Sequence, residues 1–407
     1  MDAATSTRAR IETAVAALGD GALEESTLQR HVAPLFERMR AQSPGEVYLA
    51  NHSLGRPLDA AEDDVREGMA AWYAHMGGAW NAWMHECDAY RARLAGLLGV
   101  PRADSVVPKT SAGQGLRAIL NTYDAPPRVV ATRGEFDSLD VILREYAHRG
   151  RIALAFVEAR DDGRFDTADI VRAADDADLV VVSEVIFNTG QRLVDLDAIV
   201  QASHRAGARV LLDVYHSVGA LAVDLGARGV DFAVGGAYKY LRGGPGACYL
   251  YVHPRHLDAG LRTLDIGWFA KRDPFEYRRP DPPRLGEGGD AFMESTPPVL
   301  TFYQARAGQI LTAALRPERL RAYSLQQQAR LVERLATRGI EARGARDDHG
   351  AFVTVRDARA REASRALRDQ GIVTDARGPW LRLCPDVVNT RDELDRAADA
   401  LAAILRG

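Results

Sequence analysis

The sequence predicts an α/β fold, a large, mostly parallel sheet sandwiched by helices, followed by a small C-terminal α+β domain. Three observations carry this. Between residues 106 and 252, short apolar runs rich in β-branched residues recur: VVP, RVVATR, IALAFVE, DLVVVSE, ARVLLDV, DFAVGGA and ACYLYV. Helical patterns such as SLDVILREYAHRG, DTADIVRAAD and LDAIVQASHRAG separate several of them, and strands alternating with helices build parallel sheets covered on both faces. After His253 the character changes, and the last part of the chain reads strand, helix, strand, helix. A chain of 407 residues is expected to form more than one domain. The patterns suggest a helical arm over 1–45, a large domain over 46–300 and a small domain over 301–407.

The elements follow in order. Up to about Gln42 the apolar positions of IETAVAAL and LFERM recur at helical spacing. VYLANHSLGRP then reads as a short strand entering a turn with Asn51, Ser53 and Gly55. Two helices follow, DVREGMAAWYAHM and ECDAYRARLAGLL, the second stopped by Gly99 and Pro101. Between them GGAWNAW carries Trp80 and Trp83, either core filler or a ligand wall. Beyond the sheet region, LRTLDIGWFAKRDPFEYRRPDPPRLGEGGD is a long excursion rich in Pro, Gly and charge, of the kind that carries function. Paired prolines, Pro297 and Pro298, open the next helix, and RAYSLQQQARLVERLATRGI is a long amphipathic one.

Composition excludes several classes. Apolar residues at 46% and charged residues at 27% describe an ordinary globular chain. A net charge of −4 gives no basic footprint for nucleic acid. No apolar run is long enough for a membrane span, and MDAATSTRAR lacks the apolar core of a signal peptide. Cys87, Cys248 and Cys384 are scattered without metal-ligand spacing, which suits a reducing cytosol. The expectation is a cytoplasmic protein with no metal, membrane or nucleic-acid partner. Walker and GxGxxG patterns are missing, His85-Glu86-Cys87 does not continue into HExxH, and there is no GxSxG elbow.

Ligands of such sheets sit beyond the carboxyl ends of the strands. The polar residues following each apolar run are Thr110 and Ser111, Phe136 and Ser138, Ser183, Asp213 and His216, and Lys239. Only three lysines, Lys109, Lys239 and Lys271, stand among 52 Lys and Arg residues. An arginine stays protonated, whereas a desolvated lysine can lose its proton and act as a nucleophile on a carbonyl. Lys239 lies between Tyr238 and Tyr240 after the apolar AVGGA run. It also reads as a snorkelling surface lysine, and Asp213 as a helix N-cap. Together they are what pyridoxal phosphate (PLP) requires, an amine for its aldehyde and a carboxylate for its pyridine nitrogen. Thr110-Ser111-Ala112-Gly113-Gln114-Gly115 suits a phosphate at a helix start, or a plain cap. Phe136 could lie flat on an aromatic cofactor or belong to the core. Arg382, on an apolar strand, reads either as an ion-paired residue or as a bidentate carboxylate clamp.

The chain resembles the PLP enzymes of the aspartate-aminotransferase fold (fold type I), class V branch, and among them the kynureninases. The resemblance rests on SLG at 53–55, a Thr after the early strand, Phe136-x-Ser138 and SEVIFNTG at 183–190. It continues with Asp213-x-x-His216, YKYL around Lys239, GWF at 267–269, STPP at 295–298 and LRLCP at 381–385. It implies that Lys239 anchors PLP and moves protons, with Asp213 on the pyridine nitrogen, His216 nearby, Phe136 stacked on the ring and Ser183 beside it. Thr110, Ser111, Ser138, Tyr238 and Trp268 would serve the phosphate end, Trp268 and Thr296 reaching in from the second subunit of a homodimer. Tyr238 would also join Lys239 and Asp213 in catalysis. Arg382 would bind the α-carboxylate of an amino-acid substrate, with Ser53 and Phe269 also lining its site. The implied reaction is hydrolysis between the β and γ carbons of kynurenine, giving alanine and anthranilate.

The chain departs from kynureninases at two places. They carry an acid where this chain has Leu139, and a basic, Trp-bearing segment with a histidine where it has HMGGAWNAWMH, with His75 and Trp80 as replacements. Competing readings are another reaction on the same fold (transamination, β-elimination or desulfuration) and a non-catalytic regulatory protein. The presence of Lys239, Asp213, Phe136 and Arg382 together weighs against the last.

Overall fold

The computed structural model describes residues 3–406; residues 1, 2 and 407, at the ends of the expected arm and small domain, lie outside the described residues. Twelve strands run β1 (Val47–Tyr48), β2 (Val106–Lys109), β3 (Arg128–Thr132), β4 (Ala153–Val157), β5 (Leu179–Ser183), β6 (Arg209–Asp213), β7 (Phe232–Gly236), β8 (Cys248–Val252), β9 (Val353–Arg356), β10 (Ile372–Val373), β11 (Asp375–Arg377) and β12 (Trp380–Leu383). Seven form the main sheet in the order β2-β8-β7-β6-β5-β3-β4. Its pairings are parallel except those of β8, which runs antiparallel to both β2 and β7.

Side chains alternate across a strand, so a continuous apolar run supplies two cores at once. Val180, Val182, Val210 and Leu212 enter one layer, with Leu94 and Leu98 of helix Ala79–Leu98 and Ile199 of helix Leu196–Arg205. Leu179, Val181 and Leu211 enter the other, with Leu116 and Ile119 of helix Ala112–Leu120 and Leu139 and Leu143 of helix Asp137–His148. Each such buried side chain contributes about 1.5–3 kcal/mol. Helix Ala112–Leu120 lies very close to the sheet, because a Cβ on Gly115 would stand 2.6 Å from Val234 Cγ1. That closeness fixes where the helix begins, beside the carboxyl edge of the sheet.

A second sheet has the order β11-β12-β9, all antiparallel. Helices Pro317–Ala336, Ala360–Asp369 and Arg391–Arg406 pack around it through Leu331, Leu335, Leu367, Leu394 and Leu401. β10 and β11 are short strands within a stretch that the sequence reading joined to helix Ala360–Asp369; two or three residues show no periodicity. β1 pairs in parallel with β10, and Ala50 bridges Cys384. The turn of residues 51–55 is thereby laid beside β11 and β12. Helix Leu300–Leu315 packs against helices Ala60–His75 and Ala79–Leu98. Among the described residues no helix is long and apolar enough to cross a membrane, and no cluster of metal-ligating side chains occurs.

Candidate active site

The site lies where the central strands end. β5 finishes on Ser183 and β6 on Asp213, paired neighbours in register. Three residues beyond β7 comes Lys239, in a turn closed by the Gly243 N–H donating to the Ala237 carbonyl at 2.6 Å and Arg242 N–H to the Lys239 carbonyl at 3.0 Å. Gly55 N–H donates to the Tyr238 carbonyl at 2.7 Å. A Cβ on Gly55 would overlap the Lys239 carbonyl oxygen, so the SLG turn is seated directly on the lysine's backbone.

Lys239 is 4% exposed, and its Nζ lies 2.8 Å from His216 Nε2. Nζ also faces three rings, at 5.3 Å from the centre of Phe136, 5.2 Å from Tyr215 and 5.6 Å from Tyr238. Burial pushes its pKa down to about 7, with Asp213 opposing and Arg382 reinforcing the shift. Much of this amine is therefore neutral near pH 7, when an ordinary lysine is fully charged. Burial, then the positive charge of Lys239, holds His216 well below its usual range. The neutral His216 ring shares a hydrogen bond with the amine through Nε2.

Asp213 Oδ1 accepts the Tyr215 N–H at 2.8 Å, while Oδ2 has no hydrogen-bond partner among the described residues. Burial pushes this carboxyl up to about 6, against the Tyr215 hydrogen bond and Lys239. Glu135, a residue the sequence reading passed over, is a second buried acid nearby. It accepts the hydroxyls of Ser183 and Thr132, each at 2.6 Å, and the Ser183 N–H at 3.3 Å. Burial pushes its pKa up to about 7, against those hydrogen bonds, with the Asp213 charge adding to the rise. Ser183 thus has its hydroxyl proton committed to Glu135.

Arg382 is buried on β12, and its guanidinium grips Asp375 of the adjoining β11, Nε to Oδ1 at 2.7 Å and a terminal nitrogen to Oδ2 at 2.5 Å. Its other terminal nitrogen donates to the Phe187 carbonyl. His52 Nε2 and Ser53 Oγ reach the same carboxylate, at 2.8 and 2.5 Å. Burial brings the His52 pKa down to about 4, with Arg382 lowering it further against Asp375. Burial of Asp375 works to raise its own pKa, yet its partners outweigh that and hold it far below the carboxylate range. With His52 neutral at pH 7, the cations beside Asp375 are the guanidinium of Arg382 and, at 3.9 Å, that of Arg377.

These contacts close a circuit around the Lys239 amine. Phe136 meets Phe187 edge-on at 5.4 Å, the Phe187 carbonyl meets Arg382, and Arg382 meets Asp375. Asp375 holds His52, whose ring lies 6.3 Å from that of His216, and His216 returns to Lys239. Phe352 fills the space behind, stacked on His52 at 4.9 Å.

Elsewhere the expected residues are placed differently. Thr110 gives both its N–H (2.7 Å) and its hydroxyl (3.1 Å) to Gln114 Oε1, and Ser111 Oγ caps the helix by accepting Gln114 N–H at 3.1 Å. Gln114 is held in turn by Glu294, which also pairs with buried Lys109 at 2.7 Å. Ser138 is half-buried in the first turn of helix Asp137–His148. Tyr238 is half-buried against Tyr215, its hydroxyl pushed up chiefly by burial. Trp268 donates its indole N–H to Thr296 Oγ1 at 3.2 Å, and its ring meets Trp80, Phe269 and Phe275. Phe269 is buried in that aromatic group, and Thr296 is exposed. None of these three has a ring contact or hydrogen bond to the Lys239 circuit among the described residues. His75 is exposed at the end of its helix.

The donor set fits PLP. The second carboxylate oxygen of Asp213, which makes no hydrogen bond among the described residues, suits a pyridinium N–H, a desolvated amine suits an aldehyde, and the half-buried Phe136 ring beside that amine suits an aromatic face. His52, Glu135 and Asp375 escaped the sequence reading. Glu135 directly precedes Phe136 at a strand end, and Asp375 lies seven positions before Arg382; position at a strand end was the available signal for the first.

Residues 58–381 match the model of the family described as aminotransferase class-V. The kynureninase of Deinococcus radiodurans is 32% identical over 392 residues, covering 91% of this chain and 92% of its own length. The kynureninase of Geobacillus thermodenitrificans is 28% identical, covering 86% of each. The apo cysteine desulfurase of Thermococcus onnurineus superposes with a TM-score of 0.77 at 18% identity, over 91% of this chain and 98% of that one.

Proposed function

The chain belongs to the class V aminotransferase family, and from that premise we propose that it hydrolyses kynurenine or a related γ-keto amino acid. Its cofactor is pyridoxal 5'-phosphate. Water would add hydroxyl to the γ carbon and a proton to the β carbon as the bond between them breaks, leaving an aryl acid and alanine. The observation that carries the reading is the desolvated Lys239 amine, 2.8 Å from a neutral His216, inside a circuit that includes a buried arginine. The likeness to kynureninases along nine-tenths of the chain supports this chemistry among those the family performs.

Bound PLP draws electrons from the bonds at the substrate's α carbon. In our reading Lys239 would hold it and, when free, its amine would move protons at the substrate carbons, with His216 Nε2 2.8 Å away to orient it. Asp213 would pair with the pyridine nitrogen and Phe136 would lie against the ring. Thr110, Ser111, Ser138 and Tyr238 serve the phosphate, Thr110 by exchanging its bonds to Gln114. Arg382 and Ser53 receive the amino-acid end. Trp268 and Thr296 would serve the site of a second subunit, consistent with their separation from the Lys239 circuit, while Phe269, expected beside the substrate, is buried in the same aromatic group. A desulfurase needs a reactive thiolate, whereas all three cysteines are buried and burial pushes their pKa values up to about 12, 11 and 12 for Cys87, Cys248 and Cys384.

The test is incubation with kynurenine and 3-hydroxykynurenine, following the aryl acid by fluorescence and alanine by chromatography, on protein sized by light scattering. Equal release of both products by a dimer is expected. Binding without aryl-acid release would reject the reaction, and turnover by a monomer would remove Trp268 and Thr296 from the site.

A further inference from the structure

Arg382 is not free. Five N–H groups leave a guanidinium, and three are engaged: Nε and one terminal nitrogen by Asp375, the other terminal nitrogen by the Phe187 carbonyl. One N–H remains on each terminal nitrogen. Asp375 for its part is fully subscribed, accepting from Arg382, His52 and Ser53. Two of those partners come from the turn after β1, and two strands of the C-terminal sheet carry the acid and the arginine in register, Asp375 opposite Arg382.

We propose that Asp375 is the positioning residue of the substrate's carboxylate site. It grips one edge of Arg382, so that the two remaining terminal N–H groups receive the carboxylate of an α-amino acid, and it ties the His52–Ser53 turn to the same point. The inference rests on the reading of Arg382 as the carboxylate clamp. The physical reason is that an arginine side chain is long and flexible, and recognition by a planar fork needs its plane fixed. A paired carboxylate on the neighbouring strand fixes it, and the Phe187 carbonyl ties that plane to the wall carrying Phe136. The opposite reading makes Asp375 a plug that a substrate carboxylate must displace. The two differ in sign: removing a positioning acid weakens carboxylate binding, and removing a plug strengthens it.

The experiment measures Kd by calorimetry on the cofactor-loaded protein for alanine and for alaninamide, which lacks the carboxylate. Asp375→Asn should weaken alanine binding about tenfold, the scale of one charge-assisted hydrogen bond, and leave alaninamide unchanged. Ser53→Ala, which removes a single donor, should weaken alanine by about two- to threefold. Unchanged or tighter alanine binding by Asp375→Asn would overturn the proposal, and so would an equal loss for alaninamide. Should Asp375→Asn not fold, Asp375→Glu, which keeps the charge and moves its oxygens, decides: weaker alanine binding with alaninamide unchanged supports the proposal, and an unaltered alanine Kd overturns it. Arg382→Ala separates the two levels. If it retains alanine, the clamp reading itself fails; if it loses alanine while Asp375→Asn does not, only this inference fails.

Discussion

Buried Glu135 and half-buried Asp375 are two acids with opposite electrostatics, and the difference follows from their partners. Asp375 has a guanidinium on it and stays ionised; Glu135 has only neutral donors, with Asp213 close enough to oppose its charge. Glu135 titrates near pH 7 in the fold, against 4.5 ordinarily. A raised folded value means its stabilising contribution is present below pH 4.5 and is lost as pH climbs through 7. Glu135→Gln, which keeps a neutral hydrogen-bonding group, should remove that loss. In thermal melts of the cofactor-free protein, the variant should gain on the order of 2 kcal/mol over the parent between about pH 5 and 8. A pH-independent difference would show that Glu135 is ionised throughout. Lys239 and Asp213 were legible in the sequence because lysine is scarce and both follow apolar runs. Glu135 and Asp375 were not, because 56 acids populate the chain and only their partners distinguish these two. Arg382 read in the sequence as either an ion-paired residue or a carboxylate clamp, and its pairing with Asp375 depends on a strand register that no local pattern encodes.

At the scale of elements, the site is made by joining pieces distant in sequence. The turn after β1 reaches Lys239 only because β1 pairs with β10 and Gly55 lets the backbones touch. Gly55→Ala should therefore destabilise by about 1–3 kcal/mol through overpacking. It should also weaken cofactor retention, since the carbonyl that must move belongs to Lys239. Equilibrium unfolding and dialysis of the loaded protein measure the two, and a variant with parental stability would contradict the close seating of this turn. The central strands β5 and β6 were readable because their runs of valine and leucine are buried on both faces. β10 and β11 were not, because their pairing, and not their two or three residues, makes them strands.

Across the whole molecule, the fold gathers one buried amine, one free carboxylate oxygen and one oriented guanidinium at the carboxyl edge of a parallel sheet. The aromatic group of Trp80, Trp268, Phe269 and Phe275 stands apart from them, with Phe275 57% exposed. A second subunit entered the reading through the resemblance, since no pattern within one chain marks a surface as shared, and that separation is consistent with the proposal.

The rarity of lysine makes the deciding measurement unusually clean. The cofactor-loaded protein is reduced with borohydride, digested, and its three lysines, Lys109, Lys239 and Lys271, are mapped by mass spectrometry for the attached pyridoxyl group. The adduct should sit on Lys239 alone, and Lys239→Ala should lose the reducible visible band. An adduct on Lys109 or Lys271, or a reducible band that survives in Lys239→Ala, would place the chemistry elsewhere in the molecule.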